Sequence, residues 1–251
     1  DFINAIILLS NFVIVPSITY GSQLALGAIG VTLIYGVLRF ANFAYGDLMA
    51  FGTMCVILFT WLFKSLGISL GILPTALLAL PLGIILTIGV SLFFDRTVFK
   101  YYRNKKSSPV TFIVVSLGIM FVLNAVVRII IGPNDIVFMD GSRFIISAVD
   151  FKETTGLLEG LTIKSTQVIT LITTSITCFV LFNFLNKTKT GKSMRAYSNN
   201  EDLALLSGID PNKIILITWI IVSILATIGG TLYGLDKSFK PFTYFNTLLP
   251  I

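Results

Sequence analysis

Six apolar runs, each between 19 and 24 residues long, leave this chain little choice of fold; they cover residues 18–38, 43–63, 71–94, 110–131, 167–185 and 214–235. About 20 consecutive apolar residues in a helix cross the ~30 Å hydrocarbon core of a bilayer. Inside that core every backbone N–H and C=O must be bonded within the protein, so spanning elements are helices or closed barrels. Barrel strands are short and alternate in polarity, whereas these runs are continuous, and helices are the consequence. A further run, residues 2–15, is too short to count as a span and stands as a seventh candidate. Of 251 residues 55% are hydrophobic and 12% charged, against about 25% charged in soluble domains. The spans consume the length, leaving no room for a sizeable soluble domain. The expected fold class is all-α: one polytopic transmembrane helical bundle over residues 1–251.

The loops set the sidedness. Residues 95–108 carry Arg96, Lys100, Arg103, Lys105 and Lys106 against Asp95, and residues 187–213 open with Lys187, Lys189, Lys192 and Arg195. Both loops are expected in the cytoplasm by the positive-inside rule. Residues 132–165 reverse the balance, with Asp135, Asp140, Asp150, Glu153 and Glu159 against Arg143, Lys152 and Lys164, and are expected outside. Single spans separate these loops, so the alternation is self-consistent. The net charge of +6, from 18 basic and 12 acidic residues, is then topological. No basic patch interleaved with exposed aromatics points to nucleic acid. Histidine is absent, which removes His-based zinc sites, Ser-His-Asp triads and Cys-His pairs. Cys55 and Cys178 sit in apolar runs and read as small buried hydrophobes. No catalytic residue, metal site or cofactor is expected. The chain begins at Asp1 without a signal-peptide pattern and ends at Ile251 just after an apolar run, and reads as a piece of a longer one.

Several residues stand out against this background. Arg39 to Asp47 interrupts what would otherwise be one apolar stretch, and charges at the bilayer centre cost about 2.5–3.5 kcal/mol each. The break is either a turn at the cytoplasmic surface, the preferred reading, or irregular backbone lining a path through the bundle. Asn42, Tyr45 and Asp47 within it, and Asn124 in the fourth run, are the pathway candidates. Arg128, one turn beyond Asn124, can snorkel to the outer interface as an anchor. Gly21 and Gly30 in the first span, and Gly230 and Gly234 in a GxxxG, permit close helix packing, within the bundle or across a dimer. After Lys187, Ser198 or Asn199 can cap a short helix with Glu201 and Asp202 in its first turn and Leu203, Leu205 and Leu206 following; Gly208 and Pro211 end it. Such an amphipathic helix lies on the lipid interface or docks a soluble partner. Gly191-Lys192-Ser193 is not a P-loop, because position 186 is Asn186 and no strand precedes it.

The segment from Gly21 to Leu38, followed by Ala41-Asn-Phe-Ala-Tyr-Gly-Asp47, resembles the N-terminal signature of permease subunits of branched-chain amino acid ABC importers, with Tyr45 where the family usually has histidine. The resemblance runs on through Leu117-Gly-Ile to Arg128, Gly132-Pro-Asn, Gly191-Lys-Ser-Met-Arg-Ala and Leu206-Ser-Gly-Ile-Asp, covering nearly the whole chain. It implies a non-enzymatic pathway subunit in the bacterial cytoplasmic membrane, with cytoplasmic ATP-binding subunits, a second permease subunit, a periplasmic solute-binding protein and surrounding lipid as partners. It places ATPase coupling on Glu201, Asp202, Ala204 and Gly208, where ABC importers carry Glu-Ala-Ala, three residues, Gly. Similar permeases serve leucine-type amino acids, urea or short amides, so the solute stays open. The alternative is an ion-coupled secondary transporter, which needs carboxylates inside its spans, and only Asp47 stands in such a position.

Overall fold

The computed structural model describes residues 2–157, 159–241 and 243–248. Among these residues, six helices are long and apolar enough to cross a membrane: α1 Phe2–Leu38, α2 Tyr45–Ser65, α3 Ala76–Asn104, α4 Pro109–Ile131, α6 Ser165–Lys187 and α9 Pro211–Asp236. Shorter elements connect them: β1 Phe144–Ile146, α5 Ala148–Thr155 and β2 Ile163–Lys164 between α4 and α6, α7 Lys189–Asn199 and α8 Glu201–Leu206 between α6 and α9, and α10 Thr243–Leu248 at the end.

Two expectations change. Residues 2–15 are not a separate span: they continue into the first helix through a π turn at Ser10–Ile14, making α1 a single 37-residue helix. Pro16 does not stop it, because the π turn has already displaced the i−4 bonding that a proline would break. The basic segment after Phe94 is likewise helical to Asn104, through a second π turn at Asp95–Phe99. Lys106, with φ of 50°, turns the chain towards α4.

The helices divide into a centre and a periphery. In α2 and α9, 72% and 67% of the most apolar window is buried, against 11–28% in the other four. Glycines of the two central helices lie at their closest contacts. A Cβ on Gly230 would stand 2.7 Å from the Met49 carbonyl, and one on Gly52 would stand 2.6 Å from Thr227 Oγ1, so backbones approach where larger residues would hold them apart. Buried hydroxyls do not obstruct this packing. Thr53, Thr87, Ser223 and Thr227 each donate to the carbonyl four residues back at 2.7–2.9 Å, and Ser91 meets Ser223 across α3 and α9 at 2.6 Å.

The connection 132–165 closes one end of the bundle. Its short strands pair antiparallel, Phe144 opposite Lys164 and Ile146 opposite Ile163. Asp140 accepts from the Thr75 backbone N–H at 2.8 Å and pairs with Lys64 at 3.4 Å; Asn11 donates to the Gly160 carbonyl at 2.8 Å and accepts from the Thr162 N–H at 2.9 Å. Burial alone would raise the Asp140 carboxyl, but the Thr75 hydrogen bonds and the Lys64 charge outweigh it and hold it below the usual carboxylate range. The ends of α3 and α6 and the α7–α8 pair lie at the other, basic end.

Candidate functional site

The break between α1 and α2 is not confined to the basic end. Arg39 ends α1 in the left-handed region with φ of 61°, and residues 40–44 are non-helical. Phe40 stacks on Phe112 at 5.0 Å, near the start of α4; the Phe43 N–H donates to Ser116 Oγ at 3.2 Å; Asp47 meets Asn124. Twelve residues of α4, a rise of about 18 Å, are thus climbed by seven residues of chain. α1 gives the same depth, since Tyr45 packs on Gly30, eight residues or about 12 Å before the end of that helix. The preferred reading of a surface turn is therefore corrected to a re-entrant segment that starts α2 inside the bundle. Phe40 and Ala44 are buried at its two ends, and the Phe43 and Ala44 N–H groups are satisfied by Ser116 and Asn42, so the irregular backbone is tolerated at this depth.

The four pathway candidates fall along this climb with different roles. Asn42 Oδ1 accepts from the Ala44 N–H at 3.1 Å, shaping the turn into α2. Tyr45 is fully buried against Gly30, and a side chain at position 30 would collide with its ring. Asp47 is 2% exposed and accepts from Asn124 Nδ2 at 2.8 Å. The first turn of α2 offers it the positive end of the helix dipole, and Arg128 acts on it electrostatically. Arg128 is not the outward-reaching anchor expected, because its Nε and Nη2 are buried. A central Asp47–Asn124 contact between α2 and α4 results, with a cation beside it.

Below the climb lies a group that sequence reasoning missed. Asp95 is buried within the π turn of α3, accepting from Trp219 Nε1 at 2.9 Å and from Arg103 Nη1 at 3.0 Å. Phe99 stacks between Phe40 at 5.3 Å and Trp219 at 5.4 Å. In the sequence Asp95 is only the lone acid of a basic loop. Its position eight residues before Arg103, directly after Phe93 and Phe94, was the available signal.

The predicted amphipathic helix exists as α8, but Asn200 caps it, accepting from the Leu203 N–H at 3.0 Å, rather than Ser198 or Asn199. Those two residues end α7. Glu201 accepts from the Tyr197 hydroxyl at 2.7 Å. Burial first, then Glu201, push the Tyr197 hydroxyl up, so it remains a proton donor at neutral pH. Ala204 is buried and ties α8 to the core, while Gly208, φ 79°, makes the turn out of the helix. Leu203 and Leu206 are 61% and 84% exposed, and Asp202 lies between them and the helix start.

Of the packing glycines, Gly30 and Gly230 lie in close contacts, and Gly234 abuts Phe138 and Tyr244. Gly21 does not: it is exposed, and a Cβ there would meet nothing within 4 Å. Towards the end closed by 132–165, a cavity of about 410 Å³ opens among Arg143, Lys164, Thr166, Asp236 and Lys237. Among the described residues no three histidine, cysteine or acidic side chains come together to hold a metal ion.

The sequence matches the family described as branched-chain amino acid transport system / permease component over residues 13–251. The chain belongs to this family. Among its relatives, the high-affinity branched-chain amino acid transport system permease protein BraD of Pseudomonas aeruginosa is 25% identical over 233 residues, covering 89% of this chain and 70% of that protein. The permease protein LivH of Escherichia coli K12 is 24% identical over 220 residues, covering 86% and 68%. A probable LivH of Methanocaldococcus jannaschii is 27% identical over 233 residues, covering 90% and 67%. No solved structure gives a significant match. This permease is a multi-pass protein of the cytoplasmic membrane, and as a permease component it is a transport subunit rather than an enzyme.

Proposed function

We propose that this permease forms, with a second permease subunit, the membrane pathway of an ABC importer for branched-chain amino acids or a related small polar solute. Separate cytoplasmic ATP-binding subunits drive it and a periplasmic solute-binding protein delivers the cargo. The observation that carries this reading is α8, which presents Leu203 and Leu206 to solvent while the buried Ala204 holds it against the bundle and the Asn200 cap closes its first turn. An exposed apolar face on a short helix fits a groove in a soluble partner, and the relatives, named as branched-chain amino acid permeases, supply the cargo class.

The basic end, with residues 95–108 and 187–213, faces the cytoplasm, and residues 132–165 face outside. Glu201, Asp202, Ala204 and Gly208 are the coupling residues: Ala204 and Gly208 fix the helix, Glu201 fastens it to Tyr197, and Asp202 meets the partner. The cavity beside Arg143 and Lys237 is the outer mouth. Asn42, Tyr45, Asp47 and Asn124 form the gate: ATP-driven movement of α7 and α8 reaches the re-entrant segment through the Arg39 guanidinium, which donates to the Ser198 carbonyl. Separation of α2 from α4 at Asp47–Asn124 then opens the path.

Uptake of labelled leucine into proteoliposomes holding the complete importer tests the function. ATP- and binding-protein-dependent uptake is expected; uptake driven by a sodium or proton gradient without ATPase subunits would return the ion-coupled alternative.

A further inference from the structure

A second cavity, of about 210 Å³, lies at the basic end, between the end of α1, the start of α4 and the α7–α8 pair. At ~30 Å³ per water it has room for about seven water molecules, and it is smaller than the ~300–1,000 Å³ pockets that hold drug-sized ligands. Its walls carry three chemistries. Phe40, Phe112 and Ile215 are apolar; Arg39, Arg103 and Lys106 are cationic; Glu201 is anionic. Glu201 uses Oε1 for the Tyr197 hydroxyl, leaving its second oxygen for another donor. An inorganic anion or lipid phosphate would meet the cations but also the Glu201 carboxylate, and an acyl chain would need only the apolar wall. A small zwitterion with an apolar side chain uses all three.

We propose that this cavity binds one free α-amino acid with an apolar side chain: its ammonium on Glu201, its carboxylate on Lys106, its side chain against Phe112 and Ile215; Arg103 stays paired with Asp95. The inference rests on the reading of the basic end as cytoplasmic and of the cargo as this class. The occupant is then delivered product. Bound there, it bridges α4 and the end of α3 to the Tyr197–Glu201 junction of α7 and α8, and opposes movement of the docking helix. Linkage makes the effect reciprocal: product weakens the moved state, and the moved state weakens product binding.

The test is equilibrium binding of labelled leucine to the full chain in nanodiscs. Saturable binding is expected, weakened about tenfold by Lys106→Asn, which removes one charge-assisted contact; asparagine tolerates the positive φ at 106. Phe112→Trp, which fills the cavity, is expected to abolish it. Leucinol, lacking the carboxylate, and N-acetyl-leucine, lacking the ammonium, should not compete. In the reconstituted importer, leucine on the ATP side should slow uptake by wild type but not by Phe112→Trp. Leucine binding unchanged in both variants, or displaced by inorganic phosphate or phosphatidylglycerol, overturns the inference. Transport without this second site leaves the proposed function intact, whereas a Phe112-dependent leucine site in a chain that supports no ATP-driven uptake defeats only the transport reading.

Discussion

The α2–α9 centre and the α7–α8 pair are stabilised in opposite ways. At the centre, glycines let backbones touch and 72% and 67% of the most apolar window of α2 and α9 is enclosed; at the basic end, α8 is a six-residue helix whose leucines face outwards. Such a short helix is not stable alone, so its cap, its Ala204 anchor and the Glu201–Tyr197 bond maintain it. Rigid packing suits a scaffold that must not leak. A small, separately anchored element suits a part that moves against it.

Substitutions should separate the two regions sharply. The largest effect is expected from Gly230→Leu, which forces α9 away from the Met49 carbonyl; overpacking costs about 3 kcal/mol at the upper end of the usual range. A large fall in detergent-solubilised melting temperature measures it, and an unchanged value would mean the centre is looser than described. Asn124→Leu follows, leaving the buried Asp47 carboxylate short of a donor at about 1–3 kcal/mol. If it also uncouples transport from ATP hydrolysis, Asp47–Asn124 acts as the gate; if only stability falls, it is a strut. Asp140 gives a smaller, pH-dependent effect. Its carboxyl is held low, so its stabilisation is present at neutral pH, and is lost as pH falls through that lowered value. Asp140→Asn should flatten the acid limb of the melting curve. Gly21→Leu, in open space, is expected to change melting by nothing measurable, which contrasts directly with Gly230.

Spans 43–63, 110–131, 167–185 and 214–235 could be read to within about three residues, because apolar length reports a crossing helix directly. Depth could not be read. Arg39 to Asp47 has the polarity of a surface turn, and only the pairing of Phe43 with Ser116 and Asp47 with Asn124 reveals that it climbs into the bundle. Gly21 and Gly30 share one helix and one residue type, yet only Gly30 faces a partner, since the side that faces Tyr45 depends on packing that composition does not encode. The cap expected at Ser198 or Asn199 stands one residue further on, at Asn200, because α7 runs through both expected positions. Asp95 and Arg103 were visible as charges, but their pairing required the π turn that brings them together.

Co-purification with the cytoplasmic ATPase subunits tests α8 most directly, comparing wild type with Leu206→Ser and Gly208→Trp at equal membrane insertion. Leu206 is exposed and Gly208 has open space around it, so the Leu206 change is expected to alter stability by no more than about 0.5 kcal/mol. Loss of ATPase association from both variants, with melting of Leu206→Ser unchanged, is the predicted result; full association in both, or no ATPase partner for wild type, would contradict α8 as the coupling helix.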